Sequence, residues 1–213
     1  MKKAVLSAAG AMSAIALATT TASAETETYS FAGFSKLDVS AGVNVDVRVG
    51  EDYSVSAEGN QKAIDSLRFE LDDDTLEIGR KRGSLFSGRH GKVTVYVELP
   101  RLEEVDVSSG SSLEAENIDA AEFEASVSSG ARAELHGKCV DLDADGSSGA
   151  SLDADDFKCE HAKADVSSGA NLRIFAAKRI DADASSGGNI TVYGNPKQTR
   201  IDKSSGGNIS IRD

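Results

Sequence analysis

The sequence predicts an all-β protein: a single-stranded, right-handed parallel β-helix, or solenoid, with coils of about 19 residues and a less regular β part ahead of them. Three observations carry this expectation. First, Ser-Ser-Gly occurs six times, with its glycine at Gly110, Gly130, Gly149, Gly169, Gly187 and Gly206, at intervals of 20, 19, 20, 18 and 19 residues. A fixed period of this length is the signature of stacked repeats. Second, apolar and polar residues alternate on both sides of each Ser-Ser-Gly, the pattern of strands with one buried face. Third, tryptophan is absent and only 5% of residues are aromatic, whereas glycine alone numbers 20. A narrow coil interior fills with small aliphatics, where a globular core needs larger side chains.

Each repeat reads as two short strands joined by the Ser-Ser-Gly turn. Upstream of the turns the inward positions are Phe123, Ala125 and Val127; Leu142, Ala144 and Gly146; Ala162, Ala164 and Val166; Ile180, Ala182 and Ala184. Downstream they are Leu113 and Ala115, Ala133 and Leu135, Leu152 and Ala154, Leu172 and Ile174, Ile190 and Val192, Ile209 and Ile211. The turn glycine is expected at positive φ. One repeat cannot bury its face alone, so consecutive coils stack and share a continuous core; right-handed winding is the default for parallel crossovers. An antiparallel sandwich is the alternative, disfavoured because identical turns at one period favour stacking.

Stacking turns sequence columns into spatial ladders. Two residues before each Ser-Ser-Gly stand Asp106, Ser126, Asp145, Asp165, Asp183 and Asp202, and two residues after the last three stand Asn171, Asn189 and Asn208. Stacked asparagines and serines can hydrogen-bond along the axis, and the aspartates suit capping of turn amides. Cys139 and Cys159 each lie eight residues before the first serine of a turn, Ser147 and Ser167. That places them in one column of adjacent coils, within disulfide reach; two free thiols are the alternative.

The N-terminus reads as an export signal. Lys2 and Lys3 precede an apolar stretch from Ala4 to about Ala18, and Ala22-Ser23-Ala24 is an A-x-A cleavage site. The expected organisation is a signal peptide over 1–24 and one domain over 25–213, with irregular β over 31–100 and Ser-Ser-Gly repeats over 101–213. No transmembrane segment is expected after cleavage, since the apolar run is too short to span a bilayer. The residues after Ala24 number 189 and hold 21 basic against 35 acidic side chains, a net charge of −14. That balance argues against nucleic acid and anionic lipid as partners and favours cations or basic surfaces.

Residues 31–100 carry the same alternation without the period. Phe34, Leu37 and Val39, then Gly42, then Val43, Val45, Val47 and Val49 read as strand, turn, strand. Tyr53 to Ala57 is a further strand, Ala63 to Ser66 a helical turn, and Leu67–Leu71 with Thr75–Ile78 a hairpin about Asp72-Asp73-Asp74. Residues 79–91, basic and rich in glycine and serine, read as a mobile loop, and Lys92 to Leu99 as a strand closed by Pro100.

The order of these segments resembles a known family. Phe34 with Leu37-Asp38-Val39-Ser40-Ala41-Gly42-Val43-Asn44-Val45 comes first; Leu76-Glu77-Ile78, Val93-Thr94-Val95-Tyr96-Val97 and Leu99-Pro100-Arg101-Leu102 follow; the Ser-Ser-Gly repeats complete it. This is similar to the putative auto-transporter adhesin, head GIN domain family over about residues 31–213. The resemblance implies a β-helix-like fold and an exported bacterial protein, and carries over no catalytic residue. A large C-terminal translocator barrel, which self-secretion would need, is not present in this sequence.

The candidate chemistry is sparse. Asp141, Asp143 and Asp145 alternate along one strand, and Asp153 and Asp155 follow one coil later. Such hard oxygen donors suit Ca²⁺, but no EF-hand or Gly-Gly-x-Gly-x-Asp motif is present, and a solvated acidic face is the favoured reading. His90, His136 and His161 are scattered, no Gly-x-Ser-x-Gly elbow occurs, and serine is too abundant for a triad to stand out. The basic segment with Arg80, Lys81, Arg82, Phe86 and Arg89 stands out on an acidic chain as a candidate contact for an anionic glycan or partner. The expectation is a non-enzymatic exported binding or structural module, adhesin-like, needing no cofactor beyond a conceivable Ca²⁺, with an envelope protein or polysaccharide as partner. The alternatives are a polysaccharide-active β-helix enzyme, which needs an acid/base pair in a cleft, and a Ca²⁺-stabilised envelope protein.

Overall fold

A computed structural model describes residues 25–81 and 91–212. About two thirds of the described residues are strand and 2% are helix. Seven strands precede the first Ser-Ser-Gly coil: β1 (Glu25–Tyr29), β2 (Lys36–Val39), β3 (Asn44–Val49), β4 (Ser54–Gly59), β5 (Leu67–Asp72), β6 (Thr75–Arg80) and β7 (Val93–Leu99), with one helical turn, α1 (Gln61–Ile64), between β4 and β5. The repeats follow as β8 (Glu104–Val107), β9 (Ser112–Val127), β10 (Arg132–Gly146), β11 (Ser151–Val166), β12 (Asn171–Ala184), β13 (Asn189–Tyr193), β14 (Gln198–Lys203) and β15 (Asn208–Ile211). They form a β-solenoid of about five turns with coils of about 20 residues.

The turns behave as their sequence requires. In the first, Ser109 and Gly110 take φ of 55° and 72°, and Ser111 N–H donates to Ser108 C=O at 3.1 Å. Two central residues at positive φ closed by this bond make a type I′ turn. Glycine adopts that geometry freely, and the second serine tolerates it at some steric cost. The turns are also bonded to each other: Gly110, Gly130 and Gly149 N–H donate to Ser129, Ser148 and Ser168 C=O, each at 3.1 Å.

Between turns the two expected short strands run together. Each coil from β9 to β12 is one continuous bent strand of 14–16 residues, its bend marked by register shifts, as between Leu135 and Gly137. Gly137 sits there at φ 137°, and an added Cβ would collide with the Ile118 backbone. The same glycine lies in register with Ile118 on one side and Phe157 on the other. Its missing side chain lets the Ile118 backbone approach closely; Phe157, on its other side, packs edge-on against Phe123, ring centroids 5.0 Å apart.

The interior columns match the alternation: Leu113, Ala133, Leu152, Leu172, Ile190 and Ile209 stack on one side, and Ala125, Ala144, Ala164 and Ala182 on the other. All are buried. Each large aliphatic placed there contributes roughly 1.5–3 kcal/mol of burial.

The N-terminal segments are coils of the same solenoid. β2 lies between β6 and β8, parallel to both, and β3 lies between β7 and β9, parallel to both. The stacking order is therefore β6–β7, then β2–β3, then β8–β9, so the first coil in the chain is the second in space. Its corner, Ser40-Ala41-Gly42, occupies the Ser-Ser-Gly column, with Ala41 and Gly42 at φ 64° and 69° and Ser108 N–H donating to Val39 C=O. In the β6–β7 coil Ile78 stands level with Val39 and Thr94 with Asn44, so this coil has a longer connection where the next one has Ser40-Ala41-Gly42. Gly79 and Arg80 belong to β6, so the expected loop begins later than its composition suggested.

Antiparallel strands complete this end. β4 pairs β7, β1 pairs β4, and β5 pairs β6. The β5–β6 hairpin turns at Asp73 and Asp74, as expected, with Asp73 at φ 49°. The strand β1 was not anticipated; Glu-Thr-Glu-Thr-Tyr is polar throughout and gains its conformation from pairing with Val55–Gly59. Asn60 caps α1, its side-chain oxygen accepting from Ala63 N–H at 2.9 Å.

Candidate functional site

The solenoid presents two outward flanks divided by the turn column. Residues leading into each turn form the upstream flank; residues leaving it form the downstream flank. The parallel register fixes every column on both.

On the upstream flank the aspartate ladder runs Glu77, Asp38, Asp106, Ser126, Asp145, Asp165, Asp183, Asp202. Burial is the first cause raising the carboxyl pKa of all three of Asp38, Asp106 and Asp145; the next is the stacked Asp106 and Glu77 for Asp38, the same-strand Glu104 for Asp106, and Asp143 on its own strand and then the stacked Asp165 for Asp145. Two residues earlier, a second column runs Lys36, Glu104, Glu124, Asp143, Lys163, Asp181, Arg200. Here cations interleave with acids. Lys163 Nζ lies 2.9 Å from Asp165 and 3.2 Å from Asp143, Lys36 Nζ lies 3.4 Å from Glu104, and Arg200 reaches Asp181 at 3.4 Å. Hydrogen bonds to Asp165 and Asp143 raise the Lys163 pKa. A trough of about 730 Å³ opens along this flank, with Phe123, Leu142 and Ala162 in its floor and Asp141, Asp143, His161, Lys163 and Arg179 among its walls.

The five candidate metal ligands do not converge. Asp141, Asp143 and Asp145 share the upstream flank; Asp153 and Asp155 lie past the turn on the downstream flank. Each group is met by a cation from the next coil: Lys163 for the first, Arg173 for the second. Arg173 reaches Asp153 at 2.9 Å and also bonds Asp155, while its guanidinium lies 5.5 Å from the Tyr193 ring centroid. Among the described residues, no three His, Cys, Asp or Glu side chains are grouped so as to hold a metal ion. The split was legible in the sequence: the first three aspartates precede Ser147-Ser148-Gly149 and the other two follow it.

The basic candidates divide as well. Arg80 Nε donates to Ala41 C=O at 3.2 Å and Nη1 to Ser66 Oγ at 2.5 Å, with burial lowering its pKa. Lys81 Nζ donates to Asp65 C=O at 2.7 Å. Arg80 thus ties β6 to the Ala41 corner and to Ser66, and Lys81, just after β6, is tied to Asp65 at the end of α1. Arg82, Phe86 and Arg89 lie outside the described residues.

Cys139 and Cys159 form a disulfide across in-register positions of β10 and β11, Cα atoms 4.4 Å apart. Both are buried, and the bond closes a 20-residue separation. Of the asparagine column, Asn189 Nδ2 donates to Asn171 Oδ1 at 3.2 Å. The functional-looking side chains that sequence reading passed over are Lys163, Lys36 and Tyr96. Their signal was positional: Lys163 follows Asp143 by one coil.

These features define a class: parallel β-solenoids with small-residue interiors and charged, laddered flanks. Within that class the chain belongs to the family described as putative auto-transporter adhesin, head GIN domain, whose model matches residues 33–196. Three solved structures share the architecture. A putative adhesin from Bacteroides fragilis aligns with a TM-score of 0.72 at 15% identity, covering 90% of this chain and 98% of that one. A putative adhesin from Parabacteroides merdae gives 0.54 at 12% identity, over 90% and 97%. A putative lipid binding protein from Parabacteroides distasonis gives 0.53 at 14% identity, over 90% and 97%. At these identities the likeness speaks to the fold. No curated protein matches the chain.

Proposed function

We propose that this chain is an exported, non-enzymatic binding or structural module of the bacterial cell envelope, which holds an extended partner, protein or polysaccharide, along a solenoid flank. The carrying observation is the unbroken register of outward columns from Lys36 to Arg200. It offers charged side chains at a fixed rung spacing of about 4.8 Å, on a frame stiffened by the bond between β10 and β11. A leader over residues 1–24 and a disulfide both fit an oxidising compartment outside the cytoplasm.

The enzymatic alternative has one feature in its favour: Lys163 stands beside Asp143 in the upstream trough. Its direction of titration argues the other way. A general base needs a lysine pKa pulled down toward neutrality, and Asp165 and Asp143 push this one up.

The test is binding of the mature chain to envelope preparations from its own organism, together with a glycan-degradation screen. Saturable retention without turnover is expected. Reproducible turnover that Asp143→Asn or Lys163→Gln abolishes would replace this reading with the enzymatic one.

A further inference from the structure

The downstream flank begins with a side chain unlike its neighbours. Strand β7 points Thr94, Tyr96 and Glu98 outward, and Tyr96 is 42% exposed. Its ring stands in a column between Ser56 of β4 and Asp46 of β3, with Glu114 of β9 one rung further. Arg48, Glu98 and Glu116 complete a groove of about 440 Å³ around it. Arg48 Nη2 is fixed 3.3 Å from Glu116, and the Glu98 carboxylate occupies space that any side chain at residue 50 would fill, a position held by Gly50. The groove thus combines a partly exposed aromatic ring, several carboxylates and one planar donor.

The occupant is constrained by what surrounds the ring. Strands β4, β7, β3 and β9 are each paired on both sides, so no peptide can add here as an extra strand. Recognition falls to side chains alone. Asp46, Glu98, Glu114 and Glu116 outnumber Arg48, so the groove repels anions and attracts cations. Burial, then Glu116, raise the Asp46 pKa; a cation beside Asp46 relieves that crowding. An ammonium group is also drawn to the face of a tyrosine ring, and hydroxyl donors suit the surrounding carboxylates.

We infer that the Tyr96 groove binds an amino-sugar glycan, with one sugar ring seated on Tyr96 and its ammonium and hydroxyl groups held by Asp46, Glu98 and Glu114. The inference rests on the binding-module reading above and gives it a ligand class and an address.

The experiment is isothermal titration calorimetry of the mature chain at ~0.15 M ionic strength, where long-range attraction is largely screened. The probes are a β-1,4-linked glucosamine hexamer, its N-acetylated counterpart and hexalysine. The glucosamine hexamer is expected to bind, with Tyr96→Ala weakening it about tenfold or more and Tyr96→Phe, which keeps the ring, by less than about threefold. Asp46→Asn is expected to weaken it and the N-acetylated hexamer to bind less well. Tyr96 is exposed and Tyr96→Ala removes no charge, so unchanged affinity in that variant would mean general attraction to an acidic surface and overturn the inference. Tighter, Tyr96-dependent binding of hexalysine would replace the glycan with a basic peptide. If the chain binds envelope preparations but no glucosamine hexamer, the inference fails while the broader reading stands; if it binds neither, both fail.

Discussion

The coils on either side of residue 101 obey one geometry but were assembled by different rules. In the repeats, each coil stacks on the one before it in the chain, so partners lie about 20 residues apart: Cys139 on Cys159, Asp145 on Asp165. In the N-terminal coils the stacking order departs from chain order. Leu37 packs in register with Leu76 on one side and Val105 on the other, and the β2–β3 coil is completed only when residues far downstream have folded around it. The repeats are a one-dimensional array whose coils depend on their neighbours. The N-terminal coils are interleaved, closed off by β1, β4 and β5, and rely on contacts of long sequence separation, which carry a larger loop-closure cost. Similar columns, laid down in a different order, therefore predict different cooperativity.

The sharpest way to break this comparison is to damage one coil in each region. Leu37→Ala removes a side chain only 1% exposed and held from both sides. It is expected to cost about 3 kcal/mol and to lower hydrogen-exchange protection across β2, β3, β6, β7 and β8 together. Ile209→Ala, in the last coil, where Ile209 pairs Ile190 on one side only, is expected to cost about 2 kcal/mol, the low end for such a change, with lost protection confined to β13–β15. Equal losses spread over the whole chain in both variants would erase the distinction.

Removing the disulfide comes next. Replacing Cys139 and Cys159 together by alanine opens a loop of about 20 residues, worth about 3 kcal/mol in the chain-entropy account. Urea denaturation should show that loss, and exchange should place it in β10 and β11 first. A double variant as stable as the wild type would remove any mechanical role for the bond.

The smallest effect is the most diagnostic of the aspartate ladder, which crosses both regions. Asp38, Asp106 and Asp145 have folded-state pKa values raised by burial and by neighbouring acids. The folded chain therefore holds more protons than the unfolded chain between the two pKa values, and stability falls as pH rises through that window. Acidification into the range where these raised carboxyls take up protons, above the ordinary aspartate pKa, should raise the melting temperature. Asp106→Asn should raise stability at pH 7 and flatten the profile, by less than about 1 kcal/mol because these groups remain half-exposed. Asp145 should respond less than Asp106, since Lys163 offsets its like-charge neighbours. A melting temperature that falls steadily on acidification would contradict the ladder's sign.

Much of the candidate surface was readable from the repeat once it served as a ruler. The cysteine pair, the Asp and Asn columns and the inward aliphatics all followed from counting to Ser-Ser-Gly. Asp153 and Asp155 stand close to Asp141, Asp143 and Asp145 in sequence, but the Ser147-Ser148-Gly149 turn between them sends the two groups to different flanks. Lys163 is the converse case: its partners Asp143 and Asp165 lie on the preceding coil and on its own strand two residues on, and only the register brings all three together. Arg80 and Lys81 read as free cations because their composition is that of a loop, whereas backbone carbonyls of Ala41 and Asp65 hold them to the body.

By itself, the amino-acid sequence determined the all-β character, the coil length, the turn chemistry and the disulfide pairing. Those properties depend on alternation within a strand and on one constant interval between coils, and both are local. The tertiary structure alone decided that β2–β3 would slip between β6–β7 and β8–β9, that the polar segment Glu25–Tyr29 would become a strand, and that Tyr96 would face outward beside Asp46 and Glu114. Parallel pairing between distant segments is set by matching buried faces across the stack, and such a match leaves no period in the chain that makes it.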